Sequence, residues 1–147
     1  MKVRKYLIPS IALLFVMVVS ACEKENEEFI FAHENNLISQ LIASVSHSGA
    51  EFRGEIHEFN RDGERMESSF TLEEVKDGYG LILVPISKSL EKDVDITNMY
   101  LRATVTYDAI ISPSLSGRHD ISGEGLIITV TSGERTKRQY RIRGYYE

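Results

Sequence analysis

Alternation of apolar and polar residues recurs along the chain and predicts β-strands. In residues 99–107 every odd-numbered position is apolar. A period of two is that of a strand with one buried face. Residues 126–131 show the same period, and so does the last segment, where Tyr140 and Ile142 point inward. Residues 79–86 are apolar almost throughout, which indicates a central strand.

A β-hairpin is predicted from two such segments and the turn between them. Residues 51–59 alternate, with Phe52 and Ile56 on the inner face. Asp62-Gly63, in the turn that follows, is a strong hairpin signal. The partner strand is expected to present four alternate residues to the core: Met66, Ser68, Phe70 and Leu72.

Residues 35–45 fit either the first strand or a short helix. Leu37, Leu41 and Ser44 fall at helical spacing, although the segment is also apolar enough for a strand. Polar or irregular loops are predicted at residues 87–95 and 108–117. About seven short strands at regular spacing argue for an all-β sandwich. Mostly antiparallel pairing is expected, because no crossover helix is visible.

The first 21 residues have the layout of a secretory signal peptide. Three cations, Lys2, Arg4 and Lys5, precede an apolar stretch at residues 6–19, and small residues follow it. This order of charged, apolar and small-residue regions is typical of a signal that is cleaved on export. The apolar stretch is shorter than the roughly 20 residues that a membrane-spanning helix needs. Residues 1–21 are therefore predicted to be removed.

Val19-Ser20-Ala21-Cys22 resembles the lipobox of bacterial lipoproteins. The resemblance implies that Cys22 carries two acyl chains, such as palmitate, and that its new amino group is acylated after cleavage. Two or more acyl chains anchor a protein stably to a membrane. The alternatives are a plain cleaved signal with an incidental cysteine and an uncleaved membrane anchor.

Residues 22–34 are predicted to form a tether between the lipid and the domain. Positions 23–28 read Glu-Lys-Glu-Asn-Glu-Glu, which is too polar to bury. This run resembles the acidic signal that follows the lipid-bearing cysteine in surface-exposed lipoproteins of the Bacteroidota. The resemblance implies a place on the outer face of the outer membrane, and an ordinary acidic linker is the alternative.

Charge and cysteine content narrow the function classes. Removal of residues 1–21 leaves 14 basic and 22 acidic residues, a formal charge of −8. Such a balance argues against nucleic-acid binding, which needs a basic footprint. Once Cys22 is lipidated no thiol remains, so no disulfide is expected. Residues 35–147 have the length of one domain.

Residues 96–142 resemble the C-terminal half of an immunoglobulin-like module of Bacteroidota lipoproteins, a domain of unknown function. The resemblance rests on short strand and turn patterns: Tyr107-Asp108-Ala109, Ile111-Ser112-Pro113, His119-Asp120-Ile121, Ile128-Thr129-Val130-Thr131 and Tyr140-Arg141-Ile142. Residues 54–76 are longer than the usual connection of that family, and the last turn is Ser-Gly-Glu. The resemblance implies an immunoglobulin-like antiparallel β-sandwich of about seven strands, and it implies no activity.

No catalytic, metal or cofactor site is predicted. The four histidines lack metal-ligand spacing: His33, His47, His57 and His119. Asp93 and Asp95 have neither the glycine nor the distal glutamate of a calcium loop. His57 and Glu58 are expected on a solvated strand face, and no Gly-x-Ser-x-Gly elbow occurs. The protein is therefore not expected to be an enzyme.

The last strand carries the candidate binding residues. Lys137, Gln139, Arg141 and Arg143 are expected on one outward face, either as a solvated sheet surface or as a docking surface for an acidic partner or anionic glycan. Tyrosine rings offer stacking surfaces for sugars. Three such rings are candidates: Tyr100, Tyr145 and Tyr146. The chain has no tryptophan, the usual platform for carbohydrate.

Three functional hypotheses follow. The first is a lipid-anchored protein of the outer membrane, displayed on the cell surface, that is a non-enzymatic binding or assembly module for a glycan or an envelope protein. The second is a purely structural accessory subunit of an outer-membrane complex. The third, a small hydrolase, has the weakest support because no converging catalytic residues are visible.

Overall fold

Two β-sheets form the fold in the computed structural model, which describes residues 32–67 and 69–147. Over these residues there are nine strands and one short 3₁₀ helix, Lys88–Leu90. The strands are β1 (Gln40–Ser44), β2 (Glu51–Arg53), β3 (Glu55–Phe59), β4 (Tyr79–Ile86), β5 (Met99–Thr104), β6 (Ile110–Ser112), β7 (Arg118–His119), β8 (Leu126–Thr131) and β9 (Lys137–Tyr146).

The sheets have four and five strands. The four-stranded sheet has the order β2-β1-β5-β7 and the five-stranded sheet the order β3-β4-β9-β8-β6. Every pair is antiparallel except β4 and β9, which run parallel. The predicted all-β sandwich with mostly antiparallel pairing is therefore confirmed. The strand number is nine rather than seven, partly because two short strands, β6 and β7, lie in and just after the predicted loop at residues 108–117.

The core lies between the two sheets. It is built mainly from the inward residues of strands β1, β4, β5, β8 and β9, which alternate with less buried ones as a period of two requires. Its largest fully buried side chains are Tyr140, Leu41, Ile82, Ile86, Met99, Ile121, Ile128 and Ile142. Strand β4 is central, as predicted, because β3 and β9 flank it.

The segment predicted as one strand at residues 51–59 is broken at Gly54. Strand β2 pairs with β1 in one sheet, whereas β3 pairs with β4 in the other. Gly54 donates its N–H to the carbonyl of Leu41 at 2.9 Å, and a Cβ there would lie 2.6 Å from Cγ2 of Ile82. The glycine therefore lets the chain pass from sheet to sheet where the two approach closely.

The predicted hairpin partner at residues 66–72 is wrong. The turn itself forms, with Gly63 at a φ of 80°, but pairing stops after one bridge between Phe59 and Arg65. Residues 66, 67 and 69–72 form no strand, and the chain turns through residues 72–77 instead. That course buries Val75 in the interior, a gain that extended pairing along β3 would forgo.

The first strand forms at Gln40–Ser44, so the helical alternative is not adopted. Leu41 and Ala43 are buried against β5. Upstream of β1, Asn36 donates from its side-chain amide to Oγ1 of Thr136 at 3.1 Å, and that hydroxyl donates to the carbonyl of Glu34. These bonds hold the start of the described chain against the turn before β9.

Candidate functional site

Strand β9 brings the five predicted binding residues to one face. They occupy alternate positions of the middle strand of the five-stranded sheet and point away from the core: Lys137, Gln139, Arg141, Arg143 and Tyr145. The residues between them, from Arg138 to Gly144, are buried. Below, "the outer face" means these five residues and the neighbours that the sheet register places beside them.

An open groove of about 700 Å³ lies on the outer face. At its centre Gln139 stands between Tyr79 of β4 and Thr129 of β8. Thr129 is in turn opposite Ser112 of β6. The remaining lining residues are Asp77, Gly78, Thr131 and Lys137.

Most polar side chains of the groove have unused hydrogen-bonding capacity. A hydroxyl and a primary amide each both donate and accept, and an ammonium group donates. Within residues 32–67 and 69–147, none of five side chains makes a hydrogen bond or an ion pair: Ser112, Thr129, Thr131, Lys137 and Gln139. The groove is therefore free to bond a polar ligand.

Tyr79 forms an aromatic wall of the groove. Its ring stacks on that of Phe59, with centroids 4.8 Å apart and planes 9° apart. Phe59 and Gln139 are its register partners on opposite sides, and the Phe59 ring covers one face of the Tyr79 ring. Tyr79 is 46% exposed. The sequence pattern predicts Tyr79 only as part of the central strand, although its position at the strand end, next to the Asp77-Gly78 turn, is a signal of exposure.

Two guanidinium groups continue the outer face beyond the groove. Arg141 donates to the carbonyl of Glu124 at 2.6 Å and approaches its carboxylate at 3.3 Å. The Glu124 side chain is 97% exposed, so this ion pair is weak. The side chain of Arg143 has no hydrogen bond or ion pair within the part of the chain that the structure describes.

The three predicted tyrosines do not come together. Tyr145 is on the outer face, and partial burial, followed by the nearby carboxylates of Glu147 and Glu55, raises the pKa of its hydroxyl. Tyr146 packs against the core and donates its hydroxyl to the carbonyl of Val94 at 2.6 Å. Tyr100 belongs to the four-stranded sheet.

Tyr100 is enclosed by its neighbours on that other sheet. The ring of His47 lies 4.4 Å from its centroid, and the guanidinium of Arg118 lies 4.5 Å from it. A ring already packed by an imidazole and a cation presents little free surface to a sugar. Tyr100 therefore does not extend the aromatic wall formed by Tyr79.

A buried polar cluster lies beneath the outer face, formed by Glu58, Arg138 and Tyr140. Arg138 is 3% and Glu58 5% exposed. The guanidinium donates to Oε2 of Glu58 from Nε at 2.9 Å and from Nη2 at 2.6 Å. Nη1 donates to the carbonyl of Val75, and Nη2 is also within hydrogen-bonding distance of the carbonyls of Phe59 and Tyr79.

Tyr140 completes this cluster from the core side. Its hydroxyl donates to Oε1 of Glu58 at 2.5 Å and accepts the N–H of Ile38 at 3.1 Å. Burial, with the Glu58 carboxylate as the next cause, raises the pKa of Tyr140 well above its usual value. The cluster ties strands β3, β4 and β9 to the turn at Val75 and to the chain before β1.

The expectation that Glu58 lies on a solvated strand face is wrong. The parity of both strands was the available signal, because Glu58 shares its side of β3 with Ile56, and Arg138 shares its side of β9 with Tyr140 and Ile142. Two opposite charges at inward positions indicate a buried pair. Since all their polar atoms are engaged, these groups hold the fold rather than meet a ligand.

Neither the four histidines nor the pair of Asp93 and Asp95 belongs to a metal-ligating group among the described residues. No group of three or more metal-ligating side chains converges in residues 32–67 and 69–147. Asp95 accepts the hydroxyl and N–H of Thr97, which lower the pKa of its carboxyl. Asp108 accepts the N–H of His33 at 2.7 Å, and this bond lowers the pKa of Asp108.

The predicted signal peptide and Cys22 lie outside the described residues, as does the tether up to residue 31. Within the part of the chain that the structure describes, no helix is long and apolar enough to cross a membrane.

Comparisons with known proteins found little. No protein-family model matches the chain. No curated protein matches it. Among solved structures, the chain is similar to a Bacteroides fragilis protein that is assigned as secreted. The two share 14% identity and a TM-score of 0.42, over 79% of this chain and 98% of that one.

Proposed function

We propose that this chain is a lipid-anchored protein of the cell envelope whose β-sandwich is a non-enzymatic binding module. The signal peptide and Cys22 support the anchor. The strand order supports an immunoglobulin-like arrangement, since β6, β8 and β9 are neighbours in one sheet and β1, β5 and β7 in the other. Strands C, F, G and A, B, E are neighbours in the same way in that fold.

One observation carries the binding role. The outer face gathers a cation, an amide and three hydroxyls around one groove, and none of these groups is used by the fold itself. On the other sheet, by comparison, Arg102 is paired with Glu51 at 3.1 Å. The titratable pair in the interior, Glu58 and Arg138, is sealed from solvent and supports no catalytic role.

A photo-crosslinking amino acid placed on each sheet tests this proposal in living cells. At Thr129, in the groove, it is expected to form an adduct with a cell-envelope component. At Arg53, an exposed position on the edge strand of the other sheet, it is the matched control. Equal adducts at both positions, or no adduct at Thr129, would contradict binding by the outer face.

An assembly role is the second candidate, favoured by the edge strand β6. Ile110 is 61% exposed on this strand, and β6 pairs only with β8 among the described strands. An exposed edge with an apolar side chain is a template for pairing with another chain. A crosslinker at Ile110 is expected to give one discrete protein adduct if this edge docks a neighbouring subunit, and none if it does not.

A further inference from the structure

We infer that the groove binds an acidic polysaccharide, with one sugar ring stacked on Tyr79 and the carboxylates of neighbouring sugars on Arg141 and Arg143. The inference rests on the proposed function, because the groove belongs to the outer face. It names the class of ligand, which the proposed function leaves open.

The aromatic wall formed by Tyr79 is already held in one orientation without a ligand. Phe59 packs flat on one face of the Tyr79 ring at 4.8 Å, so the ring is held in place where Tyr79 lines the groove. The C–H faces of a pyranose ring are apolar and pack on such a surface. A ring that is already ordered loses little conformational entropy on binding.

The polar side chains of the groove can form hydrogen bonds with the hydroxyl groups of a sugar that is stacked on Tyr79. Sugar hydroxyls both donate and accept, as do the hydroxyls of Ser112, Thr129 and Thr131 and the amide of Gln139. These groups line the same groove as Tyr79 and are not engaged elsewhere. Asp77 at the rim adds a carboxylate that accepts from a hydroxyl. The groove therefore combines an aromatic ring for stacking with several side chains that can hydrogen-bond to sugar hydroxyls.

The two arginines of the outer face, Arg141 and Arg143, indicate that the ligand is negatively charged. Arg141 and Arg143 follow Gln139 at steps of two residues along β9, which is about 7 Å per step in a strand. A guanidinium binds a carboxylate through two parallel hydrogen bonds. The contact of Arg141 with exposed Glu124 is weak enough to be displaced. Arg141 and Arg143 form a basic row on the outer face. Although the chain has a net charge of −5, a polyanion is attracted to this row rather than repelled.

The test measures binding of polygalacturonate to the full chain in detergent micelles, with the methyl-esterified polymer as the matched ligand. The two polymers share a backbone and differ in charge. We expect the acidic form to bind at least about tenfold more tightly, the value of one charge-assisted hydrogen bond. Binding of the acidic form is expected to weaken as sodium chloride is raised, because salt screens exposed charges.

Variants separate the parts of the site. Tyr79→Ala removes the wall and is expected to weaken binding about tenfold, whereas Tyr79→Phe keeps the ring and its affinity. Arg141→Gln with Arg143→Gln is expected to abolish the preference for the acidic polymer. Arg53→Gln makes the same change of charge per residue on the other sheet and is expected to leave binding unaltered. Gln139→Ala tests the groove independently if Tyr79→Ala does not fold.

Three results would overturn the inference. They are failure of polygalacturonate to bind, equal binding of both polymers, and equal affinity of the groove variants and the native chain. The proposed function is judged separately by the crosslink at Thr129. A crosslinked envelope component without polygalacturonate binding leaves that function standing and removes only the acidic polysaccharide.

Discussion

At the scale of single residues, Glu58 and Arg138 form a charged pair that is buried beneath the outer face. Both are buried, and every side-chain nitrogen and carboxylate oxygen of the pair has a hydrogen-bond partner. Taking two charges out of water costs several kcal/mol each, and mutual attraction offsets this only with good geometry. The two bonds from one guanidinium to Oε2 of Glu58 meet that condition. Loss of one member leaves the other charged, buried and unpaired.

We therefore expect Arg138→Met to lower the free energy of unfolding by about 3–5 kcal/mol. Adding Glu58→Gln removes the stranded charge and keeps an oxygen that accepts from Tyr140, so the double variant should recover part of the loss. Urea denaturation followed by circular dichroism measures both. A single variant as stable as the native protein would mean that the pair contributes nothing to the fold.

At the scale of elements, the parallel pairing of β4 and β9 determines where the site lies. It places Tyr79 beside Gln139 and Leu81 beside Arg141, so that the aromatic wall meets the basic row. The same register sets Gly80 opposite Tyr140. A Cβ at Gly80 would overlap Cε1 and Cδ1 of the Tyr140 ring. Glycine is tolerated in this central strand because the ring occupies the space of its missing side chain.

Gly80→Ala is expected to destabilise the protein by about 1–3 kcal/mol, the usual cost of overpacking a core. The ring cannot easily give way, because its hydroxyl is bonded to Glu58 and it is fully buried. Thermal unfolding of this variant should be compared with that of Ser112→Ala, an exposed change on β6. Equal melting temperatures for the two variants would show that Tyr140 has room to move.

The elements also differ in how well local patterns predict them. Strands Tyr79–Ile86 and Leu126–Thr131 end where the pattern predicts, since alternation and turn residues agree there. The hairpin after Gly63 failed because a turn signal specifies reversal of the chain, not the length of pairing beyond it. Burial of Val75 and the bond from Arg138 to its carbonyl decided the path of that segment.

At the scale of the whole molecule, the two sheets expose different surfaces. On the outer face Lys137 and Arg143 have no ion pair among the described residues, and the unengaged hydroxyls of Ser112, Thr129 and Thr131 line the groove beside Lys137. On the four-stranded sheet, Arg102 is paired with Glu51, and Tyr100 is packed by His47 and Arg118. The aromatic wall and the groove therefore lie on the five-stranded sheet, the surface that we propose binds a ligand.

The anchor is tested with the full chain in cells. Cys22→Ser is expected to abolish incorporation of labelled palmitate and to release the protein from the membrane fraction. Protease added to intact cells is expected to digest the native domain, with lysed cells as the control for susceptibility. Protection in intact cells, followed by digestion after lysis, would place the domain in the periplasm and contradict surface display.

The sequence by itself determined the fold class and most of the β9 row. Period-two alternation is a local property of the chain, so it predicts strands and puts Lys137, Gln139, Arg141 and Arg143 on one face without any tertiary knowledge. Only the tertiary structure decided which residues of other strands lie beside these β9 residues. Pairing of β4 with β9 joins residues about 60 positions apart, and no local pattern encodes which strands become neighbours. The same long-range packing buried Glu58 against Arg138 and made Tyr79 the wall of the groove.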